Sequence, residues 1–129
     1  MIRLTGLWQS GATVGSASRE GEPDLAFVQR CIREGRLFWT YHVNMRLRQR
    51  GLPRLTVTES VDSYEIIEQY AQSWTSQYLP SCLVYAEYRG EASHILLALD
   101  KEGDAVRVIT VYRPDPAQWD EGFRRRKKS

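Results

Sequence analysis

Two imidazoles, His42 and His94, are the side chains of this chain whose ordinary pKa lies near neutrality. His42 opens a run over residues 42–51 in which Arg46 and Arg50 follow at four-residue steps and Gly51 ends the pattern. On a helix such steps drift by only roughly 40° and 80°, over ~12 Å of axis, so one imidazole and two guanidinium groups share a face. That row of donors suits a phosphate-bearing partner, because arginine grips an oxyanion through two parallel hydrogen bonds. The bland alternative is a solvated helix face. His94 stands in a later, strand-like run that aligns with the strand ending at Tyr112.

The elements that must position these groups follow from hydrophobic period. Residues 1–23 read as a flexible or loosely docked arm, with linker chemistry over residues 10–18 and Trp8 as an anchor on the body. Pro23-Asp24 opens a helix with Leu25, Val28, Cys31 and Ile32 at helical spacing, stopped by Gly35. Leu37–Tyr41 is either a short extended link or the first turn of the next helix. That helix, His42–Arg50, turns Val43 and Leu47 inward. Leu52-Pro53 breaks it, and a short helix ending near Val61 follows.

The period then changes to alternation. Strands are expected at Tyr64–Tyr70, Cys82–Tyr88, His94–Leu99 and Val106–Tyr112, with a loop holding Trp74 and Pro80 after the first. Asp100–Asp104 is a hairpin loop with Gly103 as its left-handed residue. Trp119 and Phe123, four apart, predict a short C-terminal helix before the basic tail, residues 124–129. The reading is a single α+β domain over residues 24–123: N-terminal helices on a four-stranded antiparallel sheet.

Register bears on the site. Setting Leu97 opposite Ile109 and Ile95 opposite Val111 hides the aliphatic residues on one face with Leu99. His94 then faces Tyr112, and Leu96 faces Thr110, on the other side. A His–Tyr pair that merely packs is the plain alternative.

With 129 residues, 42% hydrophobic and 26% charged, the chain has the composition of one soluble globular domain. The net charge of +2 is too small to imply nucleic-acid binding. Its distribution says more, with cations gathered at Arg46, Arg48, Arg50 and Arg54 and again at Arg124–Lys128. Cys31 and Cys82 are isolated, which predicts two ordinary thiols in a reducing, cytoplasmic setting. No apolar run is long enough to span a membrane. Two histidines rule out a His-rich metal site and no carboxylates are spaced for a mixed one, so no cofactor is expected.

The combined pattern resembles a small prokaryotic family of unknown function. Its marks are H-x-x-x-R-x-x-x-R-G-[IL], a strand ending in Tyr, H-[IV]-[VL]-x-A, and I-T-V-Y-x-P-D-x-x-x-W. Here these are His42, Arg46, Arg50, Gly51 and Leu52; Tyr70; His94 to Ala98; and Ile109 to Asp115 with Trp119. The likeness runs over roughly residues 37 to 123, and Pro53 with Thr56-Val57-Thr58 departs from the usual helical continuation. It implies a RelE/barnase-like compact fold of the ribonuclease-toxin kind and a small zinc-finger antitoxin-like partner.

If the protein is an enzyme, the reaction these residues suit is metal-independent RNA cleavage. His42 and His94 would serve as base and acid in either order, with Arg46 and Arg50 on the phosphate oxygens. Tyr112 would donate to the leaving oxygen or stack on a base, and Thr110 and Arg113 would add phosphate contacts. The alternatives are a non-catalytic module that binds protein or nucleic acid, and a structural role in which the arginines pair with Glu65, Glu68 or Asp115.

Overall fold

The computed structural model describes residues 21–71 and 79–128; the first twenty residues of the arm expected over residues 1–23, and Trp74, lie outside them. Helix α1 (Asp24–Arg33) begins behind the extended Pro23, with Asp24 in its first turn and Arg30 and Arg33 in its last, as the helix dipole favours. Phe27, Val28, Cys31 and Ile32 form its buried stripe. Gly35, at φ 75°, lets Arg36 N–H bond back to the Cys31 carbonyl at 2.8 Å and close the helix. Helix α2 (Tyr41–Gln49) is capped by the Thr40 hydroxyl, which accepts from Val43 N–H at 3.0 Å. It buries Val43 and Leu47. Helix α3 (Leu55–Thr58) is a single turn, succeeded by a 3-10 turn at Val61–Ser63. The Ser60 hydroxyl donates to the Thr56 carbonyl at 2.5 Å, a local bond that competes with helix continuation.

Five strands follow the order β1-β5-β4-β3-β2 in one sheet: β1 (Leu37–Trp39), β2 (Glu65–Tyr70), β3 (Ser81–Tyr88), β4 (Glu91–Asp100) and β5 (Ala105–Tyr112). The sheet is mixed, because β1 runs parallel to β5 while the other pairs are antiparallel. This corrects the four-stranded antiparallel expectation. Three residues are too few to declare a period, and only the pairing partner makes Leu37–Trp39 a strand. The expected C-terminal helix is also absent from residues 113–128, which form turns and one bridge between Trp119 and Arg126.

The register of β4 on β5 holds for His94–Tyr112, Ile95–Val111 and Leu96–Thr110, then shifts so that Leu97 meets Val108 rather than Ile109. The bulge lets Val106, Val108 and Val111 all join the core with Ile95, Leu97 and Leu99, leaving Ile109 as the extra residue. In the β4–β5 turn, Asp104 and not Gly103 takes the left-handed conformation, at φ 54°. Gly103 answers a different need: a Cβ there would stand 2.6 Å from an Asp100 carboxylate oxygen. The opposite turn, Arg89-Gly90, has φ 54° and 80°, the two-residue geometry that suits the strand twist.

The core lies between one sheet face and the three helices. What the other face carries decides the site.

Candidate functional site

Register places Tyr85, His94 and Tyr112 side by side across β3, β4 and β5 on the face away from the helices. His94 is fully buried there. Its Nε2–H donates to the Phe123 carbonyl at 2.7 Å, since a carbonyl can only accept. Nδ1 is then the acceptor, with the Tyr112 hydroxyl 3.2 Å away as donor. Trp119 stands edge-on over the imidazole with ring centres 4.4 Å apart. Burial pushes the His94 pKa below its ordinary value, so the ring is neutral at pH 7. A neutral imidazole with both nitrogens engaged and no solvent contact can neither take a proton from a substrate nor give one.

The lid over His94 is the segment after β5. Arg124 grips Glu65 with two bonds, at 2.9 and 2.8 Å, and lies 4.0 Å over the Tyr85 ring. Arg126 grips Glu68, at 2.7 and 3.2 Å, and lies 4.6 Å over Trp119. The two arginines hold both carboxyls below the usual carboxylate range. Phe123 adopts φ 58°, a strained value for a bulky residue, in the turn that presents its carbonyl to His94. Two of the acids weighed as partners for the α2 arginines, Glu65 and Glu68, are thus taken by the chain's own C-terminal arginines, while the Asp115 carboxylate accepts from Ala117 N–H at 2.9 Å. The alternate spacing of Arg124 and Arg126 was the signal for this, as alternate residues of an extended segment face one way.

The cationic row on α2 has a different environment. His42, Arg46, Arg48 and Arg50 are all exposed. Arg50 reaches β5, donating to the Val111 carbonyl at 2.7 Å and to the Thr110 hydroxyl at 3.3 Å. It serves the stretch of β5 beyond Val108, which β1 is too short to pair. His42, Arg46 and Arg48 make no side-chain hydrogen bond or ion pair among the described residues. Arg113 pairs with Glu91 at 3.1 Å. The structure therefore brings Arg50 to Thr110 and His94 to Tyr112, neighbouring pairs on one strand. It joins neither His42 nor Arg46 to them by a bond among the described residues, and it leaves the His94 ring without solvent exposure.

Among the described residues no cluster of His, Cys, Asp or Glu is arranged to hold a metal ion. No helix among them is long and apolar enough to cross a membrane. Cys31 and Cys82 are free thiols, buried.

Residues 39–113, more than half of the chain, match the domain of unknown function DUF4258. The chain belongs to this family. The DUF4258 span takes in the α2 row, His94 and Tyr112, and ends at Arg113, so the segment carrying Trp119, Arg124 and Arg126 lies beyond it. No curated protein and no solved structure matches the chain.

Proposed function

We propose that this DUF4258 domain is a non-catalytic binding module whose α2 row engages the phosphates of single-stranded RNA. One contrast carries this reading: His42, Arg46 and Arg48 are exposed and unpaired among the described residues, while His94 is sealed beneath Trp119. Helix α2 has no acid of its own to neutralise the row. Phe38 and Tyr41, 59% and 80% exposed, flank its start and provide stacking surfaces for bases. Fluorescence anisotropy with a labelled single-stranded RNA tests the reading. Arg46→Ala with Arg48→Ala should weaken binding several-fold and reduce the salt slope by about 0.7 for each phosphate no longer neutralised. An affinity indifferent to both substitutions, or RNA that is cut by the intact protein, ends it.

The second reading is a metal-independent endoribonuclease of a toxin–antitoxin pair, with the RelE-type kinship that the motifs imply and an antitoxin-like small protein as partner. The adjacency of Arg50–Thr110 and His94–Tyr112 on β5 favours it. Its chemistry is attack of a ribose 2′-hydroxyl on the adjacent phosphorus, with loss of the 5′-oxygen, and it requires the lid to leave His94. A Trp119→Ala, Arg124→Ala, Arg126→Ala variant should then cut RNA in the presence of a chelator, and adding His94→Ala should abolish the cleavage. A lid variant that stays folded and never cuts removes this reading.

A further inference from the structure

Beside the cationic row, α2 and the link to α3 enclose a groove of about 490 Å³. Tyr41, Met45 and Leu52 form its apolar wall and Asn44, Arg48 and Arg54 its polar one, with no carboxylate in the lining. Arg54 is held at two points: its Nε–H donates to Asn44 Oδ1 at 3.0 Å, and its guanidinium lies 4.9 Å over the Trp39 ring. Fixed in this way, it keeps Nη1 and Nη2 as free donors, a planar pair pre-organised to grip two adjacent acceptors. Asn44 spends its oxygen on Arg54 and has its amide NH2 left over. The free side-chain nitrogens of the groove, those of Arg48 included, are therefore all donors, and they stand beside apolar surface.

We propose that this groove takes one guanine base of the bound single-stranded RNA, gripped by Arg54 through O6 and N7. The inference rests on RNA binding by the α2 row and adds a base preference to it. Guanine suits the donor set because its Hoogsteen edge sets two acceptors side by side, at the spacing a guanidinium matches. Adenine has its N6 amine where guanine has O6, so a donor would face a donor. Uracil separates O2 from O4 by its N3–H. Cytosine has O2 and N3 adjacent, but O2 lies next to the ribose, and a single ring covers less of Tyr41, Met45 and Leu52. A wall made of donors leaves the wrong base with unpaired groups, and that loss produces the discrimination.

Fluorescence anisotropy of the intact chain with a labelled oligouridine carrying one central guanosine, adenosine or cytidine tests it. The guanosine strand should bind about tenfold more tightly than the other two. Putting 7-deazaguanosine at that position, which has no N7 acceptor, should remove most of the advantage, whereas inosine, which keeps O6 and N7, should retain it. Arg54→Lys should erase the preference as well, because one ammonium cannot make two parallel bonds. An adenosine or cytidine strand that binds as tightly as the guanosine strand, with affinity still lowered by Arg46→Ala and Arg48→Ala, overturns the base site and leaves RNA binding by α2 standing. A guanosine preference that survives Arg54→Lys or 7-deazaguanosine also overturns it, since the base would then be recognised elsewhere. Failure of every strand to bind ends this inference together with the RNA-binding function on which it rests.

Discussion

At the scale of single residues, His94 shows how one side chain can be chemically suited to a task and physically withheld from it. Its environment has a thermodynamic signature. The folded pKa lies below the ordinary value of 6.5, so between the two values the unfolded chain binds more protons than the folded one. Stability is therefore fully present above pH 6.5 and falls as pH drops towards the folded value. Urea melts from pH 7.5 to 5 should show that decline, and His94→Gln should flatten it. An unchanged slope would mean that His94 is solvated. The cysteines make a second case. Burial pushes Cys31 up to about 11 and Cys82 up to about 12, so neither carries appreciable thiolate at neutral pH. Both should ignore a disulfide reagent in the folded protein and react once it is unfolded in urea; fast labelling of the folded chain would contradict the packing around them.

At the scale of elements, Arg50 and Arg46 are one helical turn apart and do different things. Arg50 stitches the end of α2 to the half of β5 that β1 cannot reach, whereas Arg46 projects into solvent. A hydrogen bond from a charged donor contributes ~1.5–3 kcal/mol when buried, and exposure of Arg50 lowers that to about 1 kcal/mol. Arg50→Ala should lose about that much in urea denaturation, while Arg46→Ala stays within about 0.5 kcal/mol. Equal effects would mean that the β5 contact adds nothing. Much of this layer was legible in the chain: α1 and its glycine stop, α2 with Val43 and Leu47 inward, and the His94–Tyr112 pairing all follow from local period. The three-residue β1 and the bulge at Ile109 were not, because each exists only by virtue of a partner strand, nor was the left-handed Asp104, whose carboxylate is held by Arg30 of α1.

At the scale of the whole molecule, the outer sheet face and the C-terminal segment act as one unit, closed by Trp119 on His94 and by the Arg124–Glu65 and Arg126–Glu68 pairs. Trp119 is 2% exposed, and truncating a buried Trp costs about 3–5 kcal/mol where the surroundings do not close up. Trp119→Ala should therefore lower stability markedly and speed hydrogen exchange at Tyr85, His94 and Tyr112. Exchange unchanged at those amides would show that the lid is not what protects them. The two carboxylates titrate below their ordinary value, so their contribution is present above pH 4.5 and is lost as pH falls through the lowered values. In acid the lid should loosen before the helix-covered face does.

What residue order determined by itself is local: helical or alternating period, the stops at Gly35 and Gly51, a cationic row on α2, and a polar pair across β4 and β5. Only the tertiary structure decided what those groups could do. Whether an imidazole meets water depends on what the chain lays over it some twenty-five residues later. Likewise, whether an arginine is free depends on which distant carbonyl or carboxylate lies within about 3 Å of it. Spacing along the chain reports neither, since both are set by packing between segments that share no local period.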